Sequence, residues 1–381
     1  MLEQAGTLRI SRQRLIHNLH VFRRRLPAGM LLCATVKANA YGHGAPLVAP
    51  LLAAAGIDWF CVYSLAEALE LLPWSADKPI LALAPVVLRT DHATKDTCEL
   101  ISRAMQAPTI RLSVTDANSA GNLAALAQRL NPSARLSVHV QIDTGLTRQG
   151  ADIDAAAAVC RVVAENSRLR LEGLFMHLSH GDVPDHPESS RQLAEFRRVS
   201  RAIQAEYPDI LLHAQNSGGA WHWPHEPLGM ARLGIGLYGL QPAIGSPLKE
   251  LQPIAELHAP ITAIHRRSAG TGVGYGHTHV LSRASRVGVV PVGYADGYPR
   301  RLSNRSAVLI KDRLVPVIGR VSMDQTIIDL TDSAADVGDS VTLISDDPAS
   351  PLCMDALADL CGTIGYELAT GLGPRLIRAV R

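Results

Sequence analysis

Eight short runs rich in β-branched and apolar residues alternate with alanine- and leucine-rich segments of helical spacing, and this alternation most limits the fold. The runs are Leu31 to Lys37, Asp58 to Tyr63, Pro79 to Ala84, Thr109 to Val114, Arg135 to Ile142, Leu171 to Met176, Ile210 to Ala214 and Arg232 to Leu237. Between them lie Ser64 to Leu72, Asp116 to Leu130, Asp152 to Glu165 and Ser190 to Glu206. Each crossover helix returns the chain to the same end of the sheet, so the strands pair in parallel. Eight such units over about 225 residues predict an α/β fold with a closed (β/α)8 barrel rather than an open sheet. After Gly239 the pattern changes. Pro242, Pro247 and Pro253 mark a connection, followed by strands at Ile261 to His265, Arg286 to Val292, Ala307 to Ile310, Leu314 to Val317, Thr326 to Leu330 and Val341 to Leu343, with only Met354 to Cys361 helical. The expectation is a barrel domain at 12–239 followed by a smaller, mostly β domain at 240–381. Residues 1–11, through Thr7 to Ile10, are a candidate further strand of the second domain.

The composition excludes several classes of function. The chain has 381 residues, 47% hydrophobic and 19% charged, and a net charge of +2. That is an ordinary globular balance, with no pull towards nucleic acid or an anionic membrane. Arg23-Arg24-Arg25 ends an N-terminal amphipathic pattern and reads as a solvated helix face. Met1 to Ser11 lacks the basic and apolar regions of a secretory signal, and the longest apolar stretch, Ala45 to Ile57, is too short and too rich in proline to span a bilayer. A cytoplasmic protein is expected. The six cysteines form no CxxC pair, so reduced, mostly buried thiols are expected.

In a β/α barrel, chemistry is done at the carboxyl ends of the strands, and phosphate commonly binds after the seventh and eighth. Lys37, one of five lysines against thirty-two arginines, ends the first run. An amine at the mouth of an apolar strand has a lowered pKa and is suited to forming a Schiff base with an aldehyde cofactor. Arg148 follows the fifth run through Asp143-Thr144-Gly145-Leu146-Thr147, His177 ends the sixth, Asn216-Ser217-Gly218-Gly219 follows the seventh, and Arg232-Leu233-Gly234-Ile235-Gly236 forms the eighth. All fall on one rim. Ser217 and the amides of Gly234 and Ile235 supply a phosphate cradle there. Gly234 to Gly239 also matches G-x-G-x-x-G, but that fingerprint must open a helix, and Gln241-Pro242 follows here. His177, His180, Asp182, Asp185 and His186, or His277 and His279, fit no defined metal-ligand spacing, so no metal is expected.

These segments resemble alanine racemases over nearly the whole chain. The likeness runs through Lys37 to Tyr41, Val140 to Arg148, Glu172 to His177, Asn216-Ser217, Arg232 to Gly239, Gly274-Tyr275-Gly276, Val292 to Gly297, Gly319 to Asp324 and Ile364 to Glu367. The resemblance implies pyridoxal phosphate carried on Lys37, with His177 packed on its ring and Arg148 bonded to its phenolic oxygen. Tyr41, Ser217, Gly234, Ile235 and Tyr366 would hold the phosphate. Arg232 would face the pyridine nitrogen and, because a guanidinium keeps its proton, leave that nitrogen unprotonated. This favours racemisation over transamination and argues against the related decarboxylases, which place an acidic residue there. The resemblance further implies two bases, Lys37 and, from the partner subunit of a homodimer, Tyr275, activated through His177 and Arg232. Arg148 and the Met323 backbone would bind the amino-acid carboxylate, and Asp182, Arg300, Arg320 and Ile364 resemble the family's substrate corridor. The product would be D-alanine for peptidoglycan. Alternatives are a racemase for serine or another amino acid, and a non-catalytic pyridoxal-phosphate-binding protein, which lacks a second domain. Position 141 departs from the pattern: Gln141 stands where many members carry a carbamylated lysine that positions the arginine matching Arg148. Arg148 is then held by hydrogen bonding alone or by a small anion such as chloride.

Overall fold

The computed structural model describes residues 6–88, 93–242 and 250–381; Pro247 and the first five residues lie outside the described chain. It divides into two compact units, Leu19–Ala40 with Val48–Leu237, and Met1–Asn18 with Tyr41–Leu47 and Tyr238–Arg381.

In chain order β1 (Thr7–Ile10) belongs to the second unit. The first is a closed parallel barrel of β2 (Leu31–Thr35), β3 (Trp59–Val62), β4 (Ile80–Pro85), β5 (Ile110–Val114), β6 (Leu136–Gln141), β7 (Leu169–Phe175), β8 (Leu211–His213) and β9 (Met230–Leu233). Closure comes from β9 pairing back onto β2, Leu31 opposite Met230 through Ala34 opposite Leu233. Helices between strands start where short polar side chains can accept the first free amides. Ser64 and Glu67 form a capping box before Leu65–Leu71, Asp116 accepts from Ser119 N before Ala117–Leu130, and Thr94 accepts from Thr97 N before Lys95–Gln106. One part of the barrel interior is apolar, built on Cys33, Trp59, Cys61, Leu81 and Met230. Elsewhere it is polar, with His139, His213 and Arg232 all buried.

The second unit is mostly β. Its six-stranded sheet runs Arg313–Pro316, Ala307–Ile310, Ser340–Ile344, Ala255–Pro260, β1, Ile377–Val380, with β1 antiparallel to Ala255–Pro260 and parallel to Ile377–Val380. A three-stranded sheet (Ala263–Arg267, Ser285–Val290, Thr326–Asp329) and a hairpin (Gly272–Val273, His279–Val280) complete it. Among the described residues no helix is long and apolar enough to cross a membrane.

Several boundaries differ from the sequence expectation. The eighth run leaves strand geometry at Leu233, and Ile235–Tyr238 forms a 3-10 turn. The first ends at Thr35, two residues before Lys37. Gly365–Thr370 is a second C-terminal helix, too short to show a periodic apolar stripe. Ala45–Ala54 is helical although Pro50 lies inside it.

Candidate active site

Among the described residues, the longest run of non-glycine backbone at positive φ follows β2. Ala38, Asn39, Ala40 and Tyr41 take φ of 50°, 53°, 55° and 51°, a full turn of left-handed helix without one glycine. Side chains in that region cost about 1–2 kcal/mol per residue, so something must hold the turn. Glu67 does so: its Oε1 accepts from Ala38 N (2.8 Å), while Oε2 accepts from Tyr63 N (2.8 Å) and Ser64 N (3.1 Å). Ala40 N also donates to Val36 O at 2.8 Å. Lys37 opens this turn. Burial lowers its pKa, with Cys61 opposing and Arg148 and Arg232 reinforcing, so more of the amine is neutral and nucleophilic.

Arg232, on β9, is buried, and the hydrogen-bond partners of its two terminal nitrogens are neutral. Nη1 donates to His213 Nδ1 (2.8 Å), and Nη2 to Met176 O (2.8 Å), Ala214 O (3.3 Å) and His177 Nδ1 (3.4 Å). Arginine only donates, so Nδ1 of His177 is an acceptor and its proton sits on Nε2. Burial, then Arg232, Arg148 and Lys37, hold His177 down at about 3, so the ring is neutral at physiological pH.

The loops after β8 and β9 meet at Ser217. Its Oγ accepts from Gly234 N (2.8 Å) and Gly236 N (3.2 Å), so two amides aim at one oxygen. A Cβ on Gly236 would stand 2.8 Å from Phe22 Cζ, which is why the loop can approach so closely. Asn216 caps the helix Ser217–His222 by accepting from Gly219 N at 2.8 Å. With both amides donating to Oγ, what this loop offers a phosphate is the Ser217 O–H. In the other unit, the rings of Tyr41 and Tyr366 lie 6.1 Å apart, and Tyr238 packs against Tyr41 at 5.1 Å.

Arg148 is exposed on the loop after β6, where Asp143 Oδ1 gathers the amides of Gly145, Leu146 and Thr147. Gln141 is buried and donates to Gln149 O at 3.1 Å, so it ties the loop beside Arg148 rather than the guanidinium itself. Tyr275 is 71% exposed at a 3-10 turn, between Gly274 and Gly276, whose φ of 66° and 69° are open to glycine. Met323 is exposed, and its carbonyl accepts from Ala295 N.

The comparisons with known proteins agree with this geometry. Residues 10–242 match the alanine racemase N-terminal domain and 254–380 the alanine racemase C-terminal domain. The chain belongs to the alanine racemase family. It is 36% identical to the alanine racemase of Synechocystis sp., covering 99% of both chains, and 38% identical to that of Levilactobacillus brevis, covering 98% and 96%. The solved alanine racemase of E. faecalis superposes with a TM-score of 0.88 at 31% identity, covering 100% and 99%. That of Bartonella henselae, with covalently bound pyridoxal phosphate, superposes with a TM-score of 0.82 at 26% identity, covering 99% of each. The protein is therefore an amino-acid racemase, an isomerase.

Glu67, His139, His213 and Glu172 went unnoticed as site residues in the sequence. The last three sit within strand runs, and a polar side chain inside a run expected to face a barrel core is the signal that could have found them.

Proposed function

We propose that the protein interconverts L- and D-alanine with pyridoxal phosphate carried on Lys37, using Lys37 and Tyr275 as the two bases. Support comes first from Arg232: a buried guanidinium whose side-chain and carbonyl partners are all neutral keeps its full charge for whatever lies beside it. Ser217 suits a phosphate, which it would hold with the Gly234 and Ile235 amides and, on the family resemblance, Tyr41 and Tyr366. Bound there, pyridoxal phosphate supplies an electron sink that lets the Cα–H bond of an amino acid ionise.

Lys37 Nζ takes the Cα proton on one face, which its lowered pKa permits. Tyr275 acts on the other. Its exposure suits a side chain that completes the site of a partner subunit, and every other acid/base candidate lies on the barrel. A tyrosine titrates near 10 and needs an anion-stabilising donor at pH 7. His177 Nε2–H would be that donor, because Arg232 at Nδ1 leaves the ring's proton on Nε2. Arg148 and the Met323 N–H bind the substrate carboxylate. Taken with a barrel at 12–239 and a β domain at 240–381, this reading gives a cytoplasmic homodimer that supplies D-alanine for peptidoglycan.

The test is borohydride reduction of the loaded protein followed by peptide mass spectrometry. The cofactor's mass should be found on Lys37, and Lys37→Ala should lose both the adduct and racemisation; an adduct on another residue, or one that persists in Lys37→Ala, refutes the reading.

A further inference from the structure

We propose that His139 is a positioning residue for Arg232, acting through His213, in a directional hydrogen-bond relay whose last N–H lies beside the Arg111–Glu172 ion pair inside the barrel. The direction follows from donor chemistry. Arg232 Nη1 can only donate, so His213 Nδ1, at 2.8 Å, accepts. A neutral imidazole with an accepting Nδ1 carries its proton on Nε2, and His213 Nε2 lies 2.8 Å from His139 Nδ1. His139 therefore accepts in turn and carries its proton on Nε2. That nitrogen has no hydrogen-bond partner and lies 3.9 Å from Glu172 Oε2, so its N–H is drawn towards the carboxylate. Glu172 is fixed by Arg111, whose Nε and Nη2 donate at 2.9 and 3.2 Å.

The fold makes room for this ring at a cost. A Cβ on Gly173 would stand 2.2 Å from His139 Nδ1, so β7 gives up a side chain opposite the histidine. His139 is fully buried, with the Trp59 ring edge-on at 5.6 Å. The relay's purpose is the His213 tautomer. Without an acceptor at His139, the His213 Nε2–H is left buried and unpaired, which offsets the donor-against-donor cost of the alternative tautomer, with its proton on Nδ1 facing Arg232 Nη1–H. The guanidinium would then turn away from its present direction. The consequence for catalysis rests on the reading of Arg232 as facing the cofactor's ring nitrogen; the tautomer itself does not.

The experiment is nitrogen NMR of histidine-labelled protein, with and without pyridoxal phosphate, for the wild type, His139→Leu and His139→Asn. The wild type should show His213 protonated on Nε2. In His139→Leu, Nδ1 protonation should appear and kcat should fall about tenfold at unchanged KM, as expected for one lost buried hydrogen bond. In His139→Asn, whose Oδ1 can replace Nδ1 as acceptor, both should return towards wild type. A wild-type His213 protonated on Nδ1 overturns the proposal even if the leucine variant does not fold. So does an unchanged tautomer in His139→Leu, or an asparagine variant as impaired as leucine. Failure of the wild type to take up pyridoxal phosphate would instead sink the cofactor reading and leave the tautomer result standing.

Discussion

Replacing Glu67 with glutamine should disable the site without touching any group that meets the substrate. Residues 38–41 hold left-handed φ at about 1–2 kcal/mol each, or on the order of 4–8 kcal/mol together. Opposing that strain are the charge-assisted bond from Ala38 N to Glu67 Oε1 and the bond from Ala40 N to Val36 O, worth about 1.5–3 and about 1 kcal/mol respectively. Glutamine can keep one oxygen towards Tyr63 N and Ser64 N, but its amide nitrogen then faces Ala38 N–H. The turn loses its strongest tether, and Lys37 loses its fixed direction. Losing about 1.5–3 kcal/mol corresponds to a roughly 10- to 150-fold fall in kcat/KM, accompanied by weaker retention of cofactor on dialysis. Adding Ala38→Gly to Glu67→Gln removes the left-handed penalty at one position and should recover about fivefold. Steady-state racemisation with cofactor absorbance measures both. A Glu67→Gln enzyme within twofold of wild type, or no recovery with glycine, would refute the claim that Glu67 holds a strained turn.

Acid should destabilise the protein through its buried histidines. Burial, then Arg111 and Arg232, lower His139 to about 3, and burial, then Arg232 and His139, hold His213 well below its usual value. The unfolded chain binds protons near pH 6.5 that the folded chain refuses. Stability is therefore full above about pH 6.5 and falls by about 1.4 kcal/mol per histidine per pH unit as pH drops towards 3. Urea unfolding between pH 7 and 4.5 should show a shallower slope in His139→Asn than in wild type; equal slopes count against the assignment. At position 141, the neutral Gln141 bonds Gln149 O and offers Arg148 no charge, so wild-type kinetics should ignore bicarbonate while Gln141→Lys becomes bicarbonate-responsive. Indifference in both would show that this position does not orient Arg148.

The barrel was legible because alternation of strand and helix is a local property written into each segment, and the eight runs needed only small changes at their ends. The rim positions of Lys37, His177 and Ser217 followed from topology, each just after a strand's carboxyl end, whereas Arg232, read as the first residue of the eighth run, lies inside β9. What sequence could not show was conformation against propensity. Nothing in Ala38-Asn39-Ala40 announces a left-handed turn, because its cause, Glu67, lies in another β/α unit. His139 and His213 were hidden for a related reason. A histidine within an apolar run meets its partner across the barrel, 74 positions away in sequence, and only the closed sheet brings the two together. Gly365–Thr370 was missed because six residues carry too little periodicity to read.

The division of the two bases between subunits is tested most directly by mixing Lys37→Ala with Tyr275→Phe protein under conditions of subunit exchange and measuring racemisation. In a mixed dimer one site has lost both bases and the other has regained both, so full exchange of equal amounts should restore about one quarter of wild-type activity. Activity that stays at the level of the separate variants, with exchange demonstrated independently, would contradict the account.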